Sequence, residues 1–273
     1  MQYEMIGTEP KIALILMMIC GILLPTVVAT VWKIKTKEPI STILIGAAMF
    51  AVFAIGLESI PKVFLFQLDN PVSAFVMSHT WVYGGLAALL AGLFEETGRW
   101  IAFKFLLKKR TDKKAAISYG MGHGGFEVVF LLVFTGIQYL TYISLINSGQ
   151  FSTIVEQVRA VSPNQVAAVE ALPETLAAIT ISNVVLSVME RVSAMLIHVA
   201  CSILVFDAAR IPQKRWMFPL AILLHAFVDI FAVLYQVGKI SINGKIFEVL
   251  LLLVAAVFFC LTVRFVYRKM PEN

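Results

Sequence analysis

Residues 81–107 read WVYGGLAALLAGLFEETGRWIAFKFLL, an apolar run long enough to cross a bilayer that carries Glu95, Glu96 and Arg99. A helix rises 1.5 Å per residue, so about 20 apolar residues span the hydrocarbon core. Charged side chains at that depth cost several kcal/mol unless paired or hydrated, so they mark a functional site by default. The remainder of the chain is read outward from these three residues.

The composition agrees with a membrane setting. Of 273 residues, 59% are hydrophobic and 14% charged, and the mean hydropathy is +0.86. A soluble globular domain is excluded, and the apolar runs are too long for barrel strands. An all-α polytopic helical bundle is expected, with seven spans at about 12–32, 40–60, 79–106, 115–146, 175–206, 217–237 and 245–266. They fill most of the chain, so a single membrane domain over 1–273 is expected.

Basic residues orient the spans. With the N-terminus outside, Lys33, Lys35, Lys37, Lys104, Lys108, Lys109, Arg110, Lys113, Lys114, Arg210, Lys214, Arg215, Arg264, Arg268 and Lys269 lie in the cytoplasm. Lys11, Lys62, Arg159, Lys239 and Lys245 fall outside. The positive-inside rule favours N-out, C-in. The net charge of +5 is then a collar for anionic lipid, and nucleic-acid binding is not required. An integral protein of a bacterial plasma membrane is expected, with membrane lipids as partners. The first span, preceded by Glu4 and Glu9, reads as a retained helix. Cys20, Cys201 and Cys260 read as buried thiols, neither a disulfide frame nor a thiolate metal site.

Polar residues recur in consecutive spans. Glu95 and Arg99 are four apart on one helical face, whereas Glu96 is offset by about 100°. The fourth span opens with Tyr119-Gly120-Met121-Gly122-His123-Gly124-Gly125-Phe126-Glu127. Its glycines allow close approach of a neighbouring backbone, and His123 and Glu127 share a face. The fifth span carries Glu190, Arg191 and His198, and the sixth His225 and Asp229. At 1.5 Å per residue, Glu95, Glu96, His123, His198 and His225 all lie roughly 12–14 Å from the cytoplasmic ends, with Glu127 and Asp229 about one turn deeper. A four-helix core over spans three to six, about 79–237, is therefore expected to assemble one polar site. The segment 147–174 is expected outside, with Phe151, Ile154, Val155 and Val158 at the spacing of an interfacial helix.

Carboxylates and imidazoles without a serine triad suit water activation. A glutamate takes the proton, while histidines or arginine stabilise the oxyanion. If His123, His198 and His225 converge, they could instead hold Zn²⁺ with an open position. Metal-dependent and metal-free chemistry both remain open on this reading.

The ordered set Glu95-Glu96-x-x-Arg99, Tyr119-x-x-x-His123, His198 and His225-x-x-x-Asp229 resembles the four-motif core of the type II CAAX prenyl endopeptidase superfamily. Within it the chain is most similar to the YhfC group of membrane peptidases, related to the PrsW proteases. That resemblance implies an intramembrane peptidase acting in the cytoplasmic half of the bilayer on a membrane-bound or lipid-modified peptide. It implies Glu95 or Glu96 as the activator of water, and His198 and His225 as orienting groups. Arg99 would hold the glutamate pair, and the second motif would act through His123 or Glu127. Arg191, Glu190 and Asp229 are supporting residues. Two alternatives stand beside it: a proton-coupled transporter, because buried glutamate and histidine chains also relay protons, and a non-catalytic scaffold of the same superfamily.

Overall fold

A computed structural model describes residues 3–162 and 165–271. It is all helical, with no strand among the described residues. Among the described residues, six helices are long and apolar enough to cross a membrane: Thr8–Thr36, Ile40–Phe66, Lys114–Asn147, Ile181–Arg210, Pro212–Gln236 and Gly244–Lys269. The third span is built differently. Pro71–Ser78 and Thr80–Leu106 meet at 107°, so that seven spans result when the bent pair counts as one. Sequence and structure thus agree on a polytopic helical membrane protein, and boundaries account for the differences.

The break between the limbs falls at His79, whose backbone (φ −117°, ψ 86°) is not helical, and the short limb is started by its own cap. Asn70 caps the short limb by accepting a hydrogen bond from Ser73 N at 2.9 Å, with Pro71 in the first turn, where a missing N–H costs nothing. The second span continues to Phe66 instead of ending near 60, passing through a widened turn at Ala51–Leu57. Glu58 therefore lies inside a helix, 1% exposed and 2.5 Å from Lys62 Nζ, and not near its end. The fifth span begins at Ile181 because Leu172–Ala177 is a separate short helix. The intervening turn is held by Asn183 Oδ1, which accepts from Thr180 N at 2.9 Å.

The helices group into two compact units. One comprises residues 3–24 and 128–189. Its core is Ile6, Leu14, Ile143, Ile146, Phe151, Val155 and Leu176. Asn147 ties its N-terminal strand of chain in place, accepting from Ile6 N at 2.7 Å and donating to Ile6 O at 3.0 Å. The helix Phe151–Val161 falls here, and Phe151 and Val155 are buried in this core.

The other unit comprises 25–127 and 190–271 and contains every polar residue singled out above. Its helices approach closely where glycine permits. A Cβ on Gly122 would overlap the Ile43 carbonyl of the second span, and one on Gly92 would lie 2.7 Å from Ile222 O of the sixth. Small residues let membrane helices pack at such separations. The apolar core below the site includes Phe103, Tyr119, Ile203, Phe206 and Ala221.

Candidate active site

Glu95, Glu96 and Arg99 are buried on the long limb of the third span, at 7%, 0% and 0% exposure. Arg99 pairs with Glu96, three residues before it, and its Nη2 lies 3.7 Å from Glu95 Oε2. The same Nη2 donates to His198 Nδ1 at 2.6 Å. Because a guanidinium can only donate, that imidazole carries its proton on Nε2, which faces Glu127. A single arginine thus fixes one carboxylate and the tautomer of one histidine.

The other imidazoles close the ring. His225 Nδ1 donates to Glu96 Oε1 at 2.7 Å, while its Nε2 lies 3.3 Å from Asp229 Oδ2 and 3.9 Å from Glu95 Oε2. His123 Nε2 is 2.8 Å from Glu95 Oε2. The rings of His123 and His198 are 4.9 Å apart, and those of His198 and His225 5.4 Å. Arg191 pairs with Glu127 and, at 2.7 Å, with Glu190. All ten residues singled out in the sequence belong to this connected network.

Its wiring differs from the expected one. His123 and Glu127 share a helical face but do not pair: His123 turns to Glu95, and Glu127 to Arg191 and His198. Charge-assisted partners across the helix interface outbid the neighbour one turn away. The offset glutamate, Glu96, is the one that Arg99 holds most closely, since residues three apart are also neighbours on a helix.

The network has an apolar floor and a polar mouth. Toward the helix ends bearing Lys104–Arg110 and Arg210–Arg215, the next layer is Phe103 and Tyr119, with rings 4.7 Å apart, and Phe206, 5.2 Å from Phe103. In the opposite direction a cavity of about 90 Å³ is lined by Glu95, Glu127, Glu190, Arg191, His198, His225 and Asp229 together with apolar groups. That volume admits several water molecules with polar partners. Glu95 lines this cavity; Glu96 does not.

Two groups of side chains bring potential ligand atoms within 4.8 Å of one another: Glu95, His123 and His198, and Glu96, Cys201 and His225. The three histidines, raised by the sequence as one alternative for a metal set, are divided between these two groups. Two histidines and one carboxylate form a donor set suited to catalytic zinc, and Glu95 and His198 face the cavity where an open position is required. The first group therefore has the donor types for a metal, which would take the place of the Arg99 donor at His198 Nδ1. Cys201, read from sequence as an inert thiol, enters the second group; its position three residues after His198 on the same helix was the available signal. In that group Glu96 Oε2 is buried without a hydrogen-bond partner.

A bundle of apolar spans enclosing a buried carboxylate–imidazole network defines an integral membrane protein. Residues 20–251 match the family described as YhfC intramembrane metalloprotease, and the chain belongs to that family. It is 32% identical over 253 residues to a Bacillus subtilis (strain 168) protein described as "Uncharacterized membrane protein YhfC", covering 92% of this chain and 95% of that one. No solved structure gives a significant match.

Proposed function

We propose that this protein is a membrane-embedded endopeptidase that hydrolyses a peptide bond of a membrane-bound or lipid-modified substrate, with Glu95 as general base. The observation that carries this reading is the asymmetry of the glutamate pair. Glu95 faces the polar cavity beside His198 and His225, whereas Glu96 is sealed behind it by Arg99 and His225. A base must reach the water it deprotonates; a carboxylate that fixes its neighbours need not.

In this mechanism Glu95 takes a proton from water as the oxygen attacks the scissile carbonyl carbon. His225, with both ring nitrogens toward carboxylates, presents an N–H to the developing oxyanion. Glu95 then returns the proton to the leaving nitrogen as the C–N bond breaks. Arg99, Glu96 and Glu127 hold the imidazoles in orientation. Glu95 through one carboxylate oxygen, His123 and His198 are the residues that would hold a metal ion, which would supply Lewis acidity toward a carbonyl or water oxygen and leave the second Glu95 oxygen as the base. The family description favours that metal-dependent form. The transporter alternative requires a polar path on both sides of the network, and the buried layer of Phe103, Tyr119 and Phe206 offers none on one side.

The test is membrane peptidomics on cells lacking the protein, complemented with wild type, Glu95→Gln or Glu96→Gln at equal folded expression. Fragments dependent on wild type should fall about 10²–10⁴-fold with Glu95→Gln, the range for loss of a general base. Retention of those fragments in the Glu95→Gln cells would remove Glu95 from the mechanism.

A further inference from the structure

The mouth of the cavity is unbalanced in charge. Four carboxylates line it, Glu95, Glu127, Glu190 and Asp229, against one guanidinium, Arg191, and the imidazoles of His198 and His225. The outermost of these are the most accessible: the Asp229 side chain is 34% exposed and that of Glu190 27%, compared with 10% for Arg191. A fifth carboxylate stands behind them. Glu248 of the seventh span is 7% exposed, and its Oε2 has no hydrogen-bond partner. It lies one turn before Leu251, which lines the same cavity, and interacts electrostatically with Glu190 and Arg191. A buried carboxylate oxygen left unpartnered costs about 1–3 kcal/mol or more, a cost that a donor reaching past Leu251 from the cavity would relieve.

We infer that this acidic mouth is a subsite for a basic side chain of the substrate, a lysine or arginine near the scissile bond; the inference rests on the peptidase reading. The disposition of the carboxylates favours an ammonium or guanidinium on a stem over a metal ion. Among the described residues, no three of Glu127, Glu190, Asp229 and Glu248 form a group with ligand atoms close enough to hold one ion. The walls between them are Ala194, Ile197, Val228, Ala232 and Leu251, apolar surface along which a methylene stem lies while its charged head reaches a carboxylate. Glu127 and Asp229 are one helical turn, about 5.4 Å, beyond His123 and His225. An extended peptide advances about 3.3 Å per residue, so the basic residue sits within about two positions of the bond cut by Glu95.

The experiment uses the full chain in phosphatidylcholine nanodiscs, as the Glu95→Gln protein. The probes are a fluorescent leucine-rich membrane-spanning peptide with one lysine near its centre and the same peptide with norleucine in its place. The lysine peptide is expected to bind about tenfold more tightly, the scale of a desolvated charge pair. In the Glu95→Gln, Glu190→Gln, Glu248→Gln protein that preference should vanish while norleucine-peptide binding persists, which also shows that the variant is folded. As a second arm, Glu248→Lys should favour the peptide with glutamate at the same position. Equal binding of the lysine and norleucine peptides, or a preference that survives the glutamine changes, overturns the subsite. Wild-type cleavage of the lysine peptide is scored separately by mass spectrometry. Selective binding without cleavage counts against hydrolysis and leaves the cation subsite standing.

Discussion

The fifth and seventh spans are both apolar helices of one bundle, yet they occupy opposite environments. In the fifth, 83% of the most apolar stretch is buried, with mean hydropathy 2.0; in the seventh, 22% is buried, with mean hydropathy 2.8. The more polar helix is the interior one. In water the ranking would be reversed, because burial there is driven by apolar area. In lipid the tails are as apolar as leucine, so an uninterrupted apolar helix gains little from being inside, while one bearing Arg191 and His198 must hide them against partners. Burial in this chain therefore follows the polar network.

That contrast can be broken first at the network itself. Replacing Arg99 with methionine removes the cation from Glu96 and the donor from His198. Loss of one partner of a buried pair costs about 3–5 kcal/mol, so Arg99→Met should lower the unfolding free energy in mixed micelles by that amount. A loss below about 1 kcal/mol would mean that water or another cation reaches Glu96 and that the network does not organise the fold. The apolar positions sharpen the same point. Ile203 of the fifth span is fully buried and Leu253 of the seventh is 56% exposed. Ile203→Ala should cost about 2–5 kcal/mol through the cavity it leaves, and Leu253→Ala less than about 0.5 kcal/mol. Equal losses in the same unfolding assay would place the seventh span in the core.

The unequal reading of fold and site in the sequence has a similar origin. Span number was legible because hydropathy and length are local properties, and the bilayer allows only helices with every backbone group paired. Boundaries were not: the limb Pro71–Ser78 begins with an Asn70-Pro71 cap too short to register in an apolar run, and the second span carries Glu58 farther inward than a 20-residue rule places it. Site residues were legible because each is costly in lipid. Their pairing was not, because Glu127 chose between His123 on its own helix and Arg191 with His198 on another, and only the assembled interface decides that competition. Cys201 escaped because a thiol in an apolar helix carries no such cost.

The smallest effect tests the cost of a buried carboxylate without an assigned cation. Glu38, between the first and second spans, is 8% exposed, and its Oε2 lacks a hydrogen-bond partner. Burial, followed by the neighbouring Asp112 carboxylate, pushes its carboxyl above the usual range. Its protonated form is therefore the one the fold favours. The stability it permits is fully present below the ordinary carboxyl value and is lost as pH rises from there through the raised value. Glu38→Gln keeps the shape and removes the ionisation. Its unfolding free energy relative to wild type should rise across that interval and level off at a gain of about 1 kcal/mol or less. Because other titrating groups are common to both proteins, the difference isolates Glu38. A difference that is flat with pH would show that Arg110 and Lys114 already neutralise this carboxylate, and that the cost of an uncompensated charge is confined to the membrane interior.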